Sequence, residues 1–451
     1  MSERESKSVD LIIKNAKIFF NQQVMEGGIA VDQGKIVKVS KNTKLPPGEE
    51  IIDAKRRLII PGIIDIHAHL RDLEFNRKEN FYTGTCAAAN GGITTIVDMP
   101  NTKPPTISPK LLEEKIDLAR KKVIINVGFY AGIPDKVEEI DSFRNHGIFG
   151  FKLFLASSLS QFDMTNSELL IKLLGKIKDN NCPLLIHAER KKDIEEILKQ
   201  KKGSNLSSQE LYLVSHSENV EKKAIEYIFE LNARIGAPIH ICHVSTASGV
   251  EIIQQSKNQG RKITCEVTPH HLFLTTVDLK KYGAFAKMLP PLRTSRDLDA
   301  LWRGLNNGII DIIATDHAPH MLSEKECEFS RATSGIPGFE TLLPLLITAM
   351  QKNQITLPRL VQSMSENPAK FLNLSNKGKI QVGYDADFTI IDLKKQQKIE
   401  ASKFYSMAKF SPFNGREMRG VPTMTIVNGE IIMREGEIMV PQGSGNIIRR
   451  P

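Results

Sequence analysis

The sequence predicts an α/β protein, a (β/α)8 barrel of the TIM type with a small β-sandwich domain formed by its N- and C-terminal segments. Two observations carry this. Between Pro61 and about residue 372, eight short apolar stretches alternate with longer stretches of helical period. On both sides of that region the pattern changes to short alternating strands separated by turn signals. A third observation agrees: metal-binding residue types recur at the ends of the apolar stretches, where barrels of this kind carry their chemistry.

In chain order, Val9 to Phe20, Gly28 to Val31 and Lys35 to Val39 read as strands, broken by Gly27-Gly28 and Gln33-Gly34. Barrel strands are expected at 62–67, 93–98, 123–129, 148–154, 183–187, 237–243, 262–267 and 309–314. Leu111–Lys122, Ser167–Asn180, Asp193–Lys201, Val220–Gly236 and Ser248–Gly260 are long and periodic enough for helices. Strands return at Gly378-Lys379-Ile380, Ala386 to Asp392 and Thr423 to Met433, the last folded by an Asn428-Gly429 turn. The expected domains are 61–372 for the barrel, with 1–60 and 373–451 joined in one β-sandwich. Residues 1–8 and 441–451 are expected to be loosely held ends.

Composition excludes several classes. Hydrophobic residues at 41% and charged residues at 25% are ordinary for a soluble globular protein. No apolar stretch approaches the roughly 18 residues of a membrane span. The polar start, Met1 to Lys7, is unlike a secretory signal. Cys86, Cys182, Cys242, Cys265 and Cys327 show no paired spacing, which points to a reducing compartment such as the cytoplasm. The net charge of +9 is spread along the chain without interleaved aromatics, so nucleic-acid binding is not expected, nor is a membrane partner.

His67, His69 and Arg71 follow Pro61-Gly62 at the end of the first apolar stretch. On a strand, residues i, i+2 and i+4 share a face. Two imidazoles and a guanidinium therefore point the same way, fit to grip a metal ion and hold an anion beside it. Lys152 lies within an otherwise apolar strand, and His187, His243 and Asp316 end three further strands. Each alone has an ordinary reading: a hydrogen-bonded histidine, a snorkelling lysine, a helix N-cap aspartate. Together they form one constellation. Burial favours a neutral amine, and a neutral amine can add carbon dioxide to give a carbamate able to bridge two cations. Two ions about 3.5–4 Å apart would make a nucleophile available near neutral pH. Imidazoles with a carboxylate suit Zn²⁺.

These residues resemble the amidohydrolase superfamily and, within its cyclic-amidase branch, the dihydroorotases. The resemblance runs from about residue 9 to 440. It includes Pro61-Gly62 to Arg71, Gly91 to Thr95, Met99-Pro100-Asn101-Thr102, His187-Ala188-Glu189, His243-Val244-Ser245, Pro269-His270-His271, Pro290 to Arg293 and Ala314 to His320. It implies one zinc on His67, His69 and Asp316, a second on His187 and His243, and carboxylated Lys152 as the bridge, with two Zn²⁺ per subunit. It further implies Asp316 as general base, and reversible closure of N-carbamoyl-L-aspartate to L-dihydroorotate in pyrimidine synthesis. A homodimer, and association with an aspartate transcarbamoylase, belong to the same implication.

Substrate choice rests on fewer residues. Dihydroorotate carries a carboxylate that hydantoins and dihydropyrimidines lack. Arg71 can hold it bidentately, and Asn101 and His320 match the family's other carboxylate contacts. Leu289 stands where long bacterial members often carry Asn; a backbone contact survives that exchange. The loop Ser334 to Glu340, with Pro337, resembles the segment whose backbone borders the heterocycle. Alternatives are a hydantoinase, dihydropyrimidinase or allantoinase, and a scaffold that has lost its metals. Cys242 is expected to face away from His243. Glu266 is expected in core packing, with an extra metal as the other reading. His146, His216 and His240 are read as structural or surface residues, and Leu155 to Thr165 as either a mobile loop over the site or a static connection.

Overall fold

A computed structural model describes residues 8–451. The barrel strands are Ile63–Ala68, Ile93–Asp98, Asn126–Phe129, Phe151–Phe154, Leu184–His187, Ile239–Ile241, Ile263–Val267 and Ile312–Ile313. Neighbours pair in parallel, and the third strand reaches the fourth through Ala131–Gly132. The eighth closes on the first where Ala68 bridges His317 and the His69 amide donates to the His317 carbonyl at 2.8 Å. Asp65 adds a side-chain tie across this seam, accepting from the Thr315 amide at 3.1 Å.

The ladders are shorter than the apolar runs predict. Val123, Ile124 and Ile125 are buried before their strand begins, because the runs enter the barrel floor ahead of the first inter-strand bond. The five predicted helices occur as Pro109–Arg120, Ser167–Asp179, Lys191–Gln200, Glu218–Asn232 and Ala247–Asn258. Phe81–Asn90, Ser208–Ser215, Ser295–Asn306 and Phe339–Gln351 are helices that periodicity did not single out. Phe81–Asn90 is buried along most of its length and so lacks a polar face to mark it.

The terminal segments make one nine-stranded sheet. Leu58–Pro61 pairs antiparallel with Phe388–Lys398, joining the N-terminal strands to the C-terminal ones. Its core takes alternate residues Leu11 and Ile13, then Ala16 and Ile18. The phase shifts at Asn15, which sits at φ 55° where the register with the next strand slips, so both pairs still face inward. Asn428 and Gly429, at φ 50° and 82°, form the predicted turn between Glu417–Val427 and Glu430–Arg434.

Two expectations are corrected. Gly378-Lys379-Ile380 forms no strand, although Ile380 joins the core of the sheet. Residues 441–451 are not a loose end; residues 1–7 lie outside the described residues. Gly445 donates to the Val123 carbonyl, Val127 to Asn446, Ile448 to Val127 and Arg450 to Gly147, all at 2.8–2.9 Å. The tail thereby occupies the edge that the third barrel strand leaves free before the fourth begins. Ile448 packs against the cluster of residues inside the barrel. At Gly445 a Cβ would lie 2.4 Å from the Ile125 carbonyl oxygen, so only glycine fits. Among the described residues, no helix is long and apolar enough to cross a membrane.

Candidate active site

The six predicted ligands converge at one end of the barrel. His67, His69 and Asp316 are buried, and their ligand atoms lie within 4.8 Å of one another. Asp316 Oδ1 is 3.0 Å from His69 Nε2 and 3.4 Å from His67 Nε2. Burial alone would raise the Asp316 pKa, but the facing His67 and His69 rings hold it well below the usual range, so it is a carboxylate.

His187 and His243 form a second pair, with Nδ1 of the first 3.0 Å from Nε2 of the second. Glu189 accepts from His187 Nε2 at 2.8 Å, leaving Nδ1 as the free lone pair. Burial, then the neighbouring His187 and Lys152, push His243 well below the usual imidazole range, so it is neutral. Its Nδ1 is buried without a partner. The rings of His67 and His243 are 5.3 Å apart, which sets the two groups side by side. Lys152 is buried, and its charge reaches both His67 and His243. Two imidazole pairs, one carboxylate and a central amine fit a pair of divalent cations.

Three of these positions depend on uncommon backbone. Arg71, His243 and Asp316 have φ of 59°, 33° and 47°. Left-handed backbone at non-glycine residues is costly and clusters at functional sites. At His243 it also overturns an expectation. Strand pairing ends at Ile241, and the turn at His243 breaks the alternation. Cys242 therefore faces inward with His243, and Lys152 Nζ donates to its Sγ at 2.9 Å.

Arg71 lies beside this cluster and is only 8% exposed. Its Nε donates to the Pro319 carbonyl at 3.3 Å, and its Nη2 lies 3.3 Å from His320 Nε2. Among the described residues it forms no ion pair. Asp72 is instead held by Lys122 at 2.9 Å, and Glu79 is bonded by Ser406. His69 Nδ1 donates to Asn101 Oδ1 at 2.5 Å, which leaves the amide nitrogen of Asn101 free to donate elsewhere. His320 Nε2 donates to the Ser334 carbonyl at 2.9 Å.

Leu289 and Pro337 lie on two segments stitched together by the Gly335 amide, which donates to the Lys287 carbonyl at 3.0 Å. Pro337 follows Ile336, which bridges His317 next to Asp316. Leu155 to Thr165 is anchored: Leu155 and Phe162 are buried, and the Gln161 amide donates to Asp135 at 2.8 Å.

The profile of the amidohydrolase family matches residues 58–432. The chain belongs to the amidohydrolase family. It is 38% identical over 451 residues to a dihydroorotase of Methanosarcina mazei, covering 97% of each chain. It is 34% identical over 449 residues to an L-hydantoinase of Paenarthrobacter aurescens, covering 98% of each. Among solved structures, an L-hydantoinase (dihydropyrimidinase) from Arthrobacter aurescens superposes with a TM-score of 0.94 at 34% identity, covering 98% of this chain and all of that one.

In this amidohydrolase, two buried carboxylates stand behind the histidines, and sequence reasoning gave neither that place. Glu266 accepts from His67 Nδ1 and, at 3.1 Å, from His240 Nε2. Burial opposes charge on His67, yet the Glu266 carboxylate outweighs it and holds the pKa up to about 10. Glu266 thus does more than pack, and His67, Cys242 and Glu266 lie within ligand distance of one another. Glu189 joins His187 to His216, whose Nδ1 lies 2.9 Å from it. His240 and His216 are therefore the outer anchors of the two groups. The available signal for Glu189 was its spacing of two from His187. His146 sits at the surface against Glu113, as expected. His271 Nε2 donates to the Pro290 carbonyl at 3.2 Å, which ties the Leu289 segment to the barrel.

Proposed function

We propose that the chain is a zinc-dependent dihydroorotase that interconverts N-carbamoyl-L-aspartate and L-dihydroorotate in pyrimidine synthesis. One observation carries the choice: the Arg71 guanidinium is buried beside the metal-type ligands with no carboxylate paired to it. A buried, unpaired charge is costly, and a carboxylated substrate would supply the missing partner. His320 and the free amide nitrogen of Asn101 flank the same place.

In this reading His67, His69 and Asp316 would hold one Zn²⁺ and His187 and His243 a second, with carboxylated Lys152 as a shared ligand. Bound zinc polarises an amide carbonyl and brings the pKa of water toward neutrality. The chain's own residues do the rest. Arg71 grips the substrate carboxylate as a fork, the Asn101 amide nitrogen adds a donor that fixes its orientation, and His320 lines the same place. The backbone at Leu289 and Pro337 borders the flat ring. Asp316, held ionised by His67 and His69, takes the proton of the attacking water. It returns that proton to the ring nitrogen as the amide C–N bond breaks. Closure of N-carbamoyl-L-aspartate reverses these steps, with Asp316 accepting the ureido N–H proton.

A hydantoinase is the second reading, favoured by the close likeness to the L-hydantoinase structure. Metal-replete protein assayed with L-dihydroorotate, dihydrouracil, hydantoin and allantoin separates the two. The expected result is turnover of dihydroorotate alone, falling about a hundredfold or more in kcat/KM in Arg71→Ala. Turnover of the uncharged rings without dihydroorotate would assign the chain to the hydantoinases. The reading extends to a homodimer, which light scattering of the purified protein tests.

A further inference from the structure

Lys325 is 1% exposed and has no acidic partner within ion-pair distance among the described residues. Its Nζ donates to three backbone carbonyls instead: Lys287 at 3.2 Å, Thr333 at 2.9 Å and Gly335 at 3.0 Å. An ammonium carries three N–H donors, and all three are used. The Phe410 ring lies 5.5 Å from the same nitrogen. Burial, and then the neighbouring Lys287 charge, pull this amine down to about 7. The three carbonyl bonds are what the charged form has to set against that cost.

Its carbonyl partners belong to the two segments that carry Leu289 and Pro337. The Gly335 amide closes the link on the Lys287 carbonyl. A second buried lysine repeats the device, since Lys287 Nζ donates to the Phe329 carbonyl at 2.8 Å and the Ala332 carbonyl at 2.7 Å. Five carbonyls of the mouth thus converge on two ammonium groups. The next residue back along the chain, Glu324, holds Lys78 at 2.7 Å and faces His320 Nδ1 at 3.4 Å. Gly335 sits at φ 130°, so close to Ala318 and His320 that a Cβ would fall 2.7–3.2 Å from their atoms. The loop has little room to shift without moving His320.

We propose that Lys325 is a positioning residue that clamps the segments Lys287 to Leu289 and Thr333 to Pro337 into the slot that receives the substrate ring. This rests on the substrate pocket assigned under Proposed function. Lys325 touches neither the predicted ligands nor Arg71, so its loss loosens the slot and leaves metal binding alone.

The test uses metal-replete enzyme with Lys325→Met and Lys325→Arg. Three quantities are read: metal content, steady-state constants for L-dihydroorotate, and amide exchange over residues 318–338 without substrate. In Lys325→Met, exchange at 333–337 should quicken about tenfold and KM rise about tenfold, with kcat within about threefold and metal content unchanged. Lys325→Arg should recover part of the protection. Unchanged exchange in that loop, or exchange that quickens evenly across the protein, would overturn the clamp. If Lys325→Met does not fold, Lys287→Met must loosen the same loop, and its failure to do so counts against the proposal equally. Should wild-type protein ignore dihydroorotate, the functional reading fails, while the exchange data still decide the clamp.

Discussion

His67 is held from both sides. Its Nε2 faces Asp316 and its Nδ1 faces Glu266, whose second oxygen is bonded by His240. A carboxylate behind an imidazole fixes the tautomer and aims the remaining lone pair. Glu266→Gln should therefore weaken metal affinity by about 10–100-fold with the fold intact, as read by competition with a chelator. Wild-type affinity in that variant would remove Glu266 from any positioning role. The six ligand-type residues were legible because each stands out chemically within an apolar run or at its end. Glu266 was not given its place, because its partner lies on a strand far away in the chain and spacing does not show which strands face each other. The inward turn of Cys242 was hidden for a different reason. It follows from a left-handed φ at His243, a conformation that strand alternation does not anticipate.

At the scale of elements, Glu340 opens the helix Phe339–Gln351 and ties it to a second helix and to the loop at Tyr405 and Ser406. It accepts from Asn90 Nδ2 at 2.9 Å, at the end of Phe81–Asn90, and from the Tyr405 and Ser406 amides at 2.9 and 3.3 Å. Burial nevertheless pushes its carboxyl up from 4.5 to about 7. Between those values the folded protein binds a proton that the unfolded chain has released. Stability from this group is then greatest below the ordinary carboxyl value and is lost as pH rises toward about 7. Urea melts from about pH 5 to about pH 8 should show that decline in wild type and a flatter profile in Glu340→Gln. Equal slopes would show that Glu340 titrates normally. The helices that the sequence marked have one polar face, whereas Phe81–Asn90 and Phe339–Gln351 are buried nearly all round. Amphipathic period found the first kind and passed over these two, although the amphipathic Ser295–Asn306 was missed as well.

For the whole molecule, the strand Leu58–Pro61 lies in the terminal sheet, and Gly62 alone separates it from the first barrel strand. Asp387 reinforces the junction. Its carbonyl accepts from the Gly62 amide at 2.8 Å, and its carboxylate accepts from the Asn428 amide at 2.8 Å and from Lys377 at 2.6 Å. The sheet and the barrel should accordingly melt as one unit, giving a single calorimetric transition that Asp387→Ala moves to lower temperature without splitting. Two separate transitions in wild-type protein would contradict this. The alternation of eight apolar runs with helical stretches was enough to read the barrel, and the turn-rich flanks were enough to read a composite β unit. Nothing in the tail's composition indicated that it would lie along the barrel.

That tail has a consequence for how the protein is made. The early half of the third barrel strand is completed by Asn446, Ile447 and Ile448, which leave the ribosome long after Val127 has emerged. Until then the strand offers an unsatisfied edge to whatever is nearby, whether a chaperone, another nascent chain or water. Closure of the barrel floor therefore waits on residues 446–448 rather than following the order in which the βα units appear.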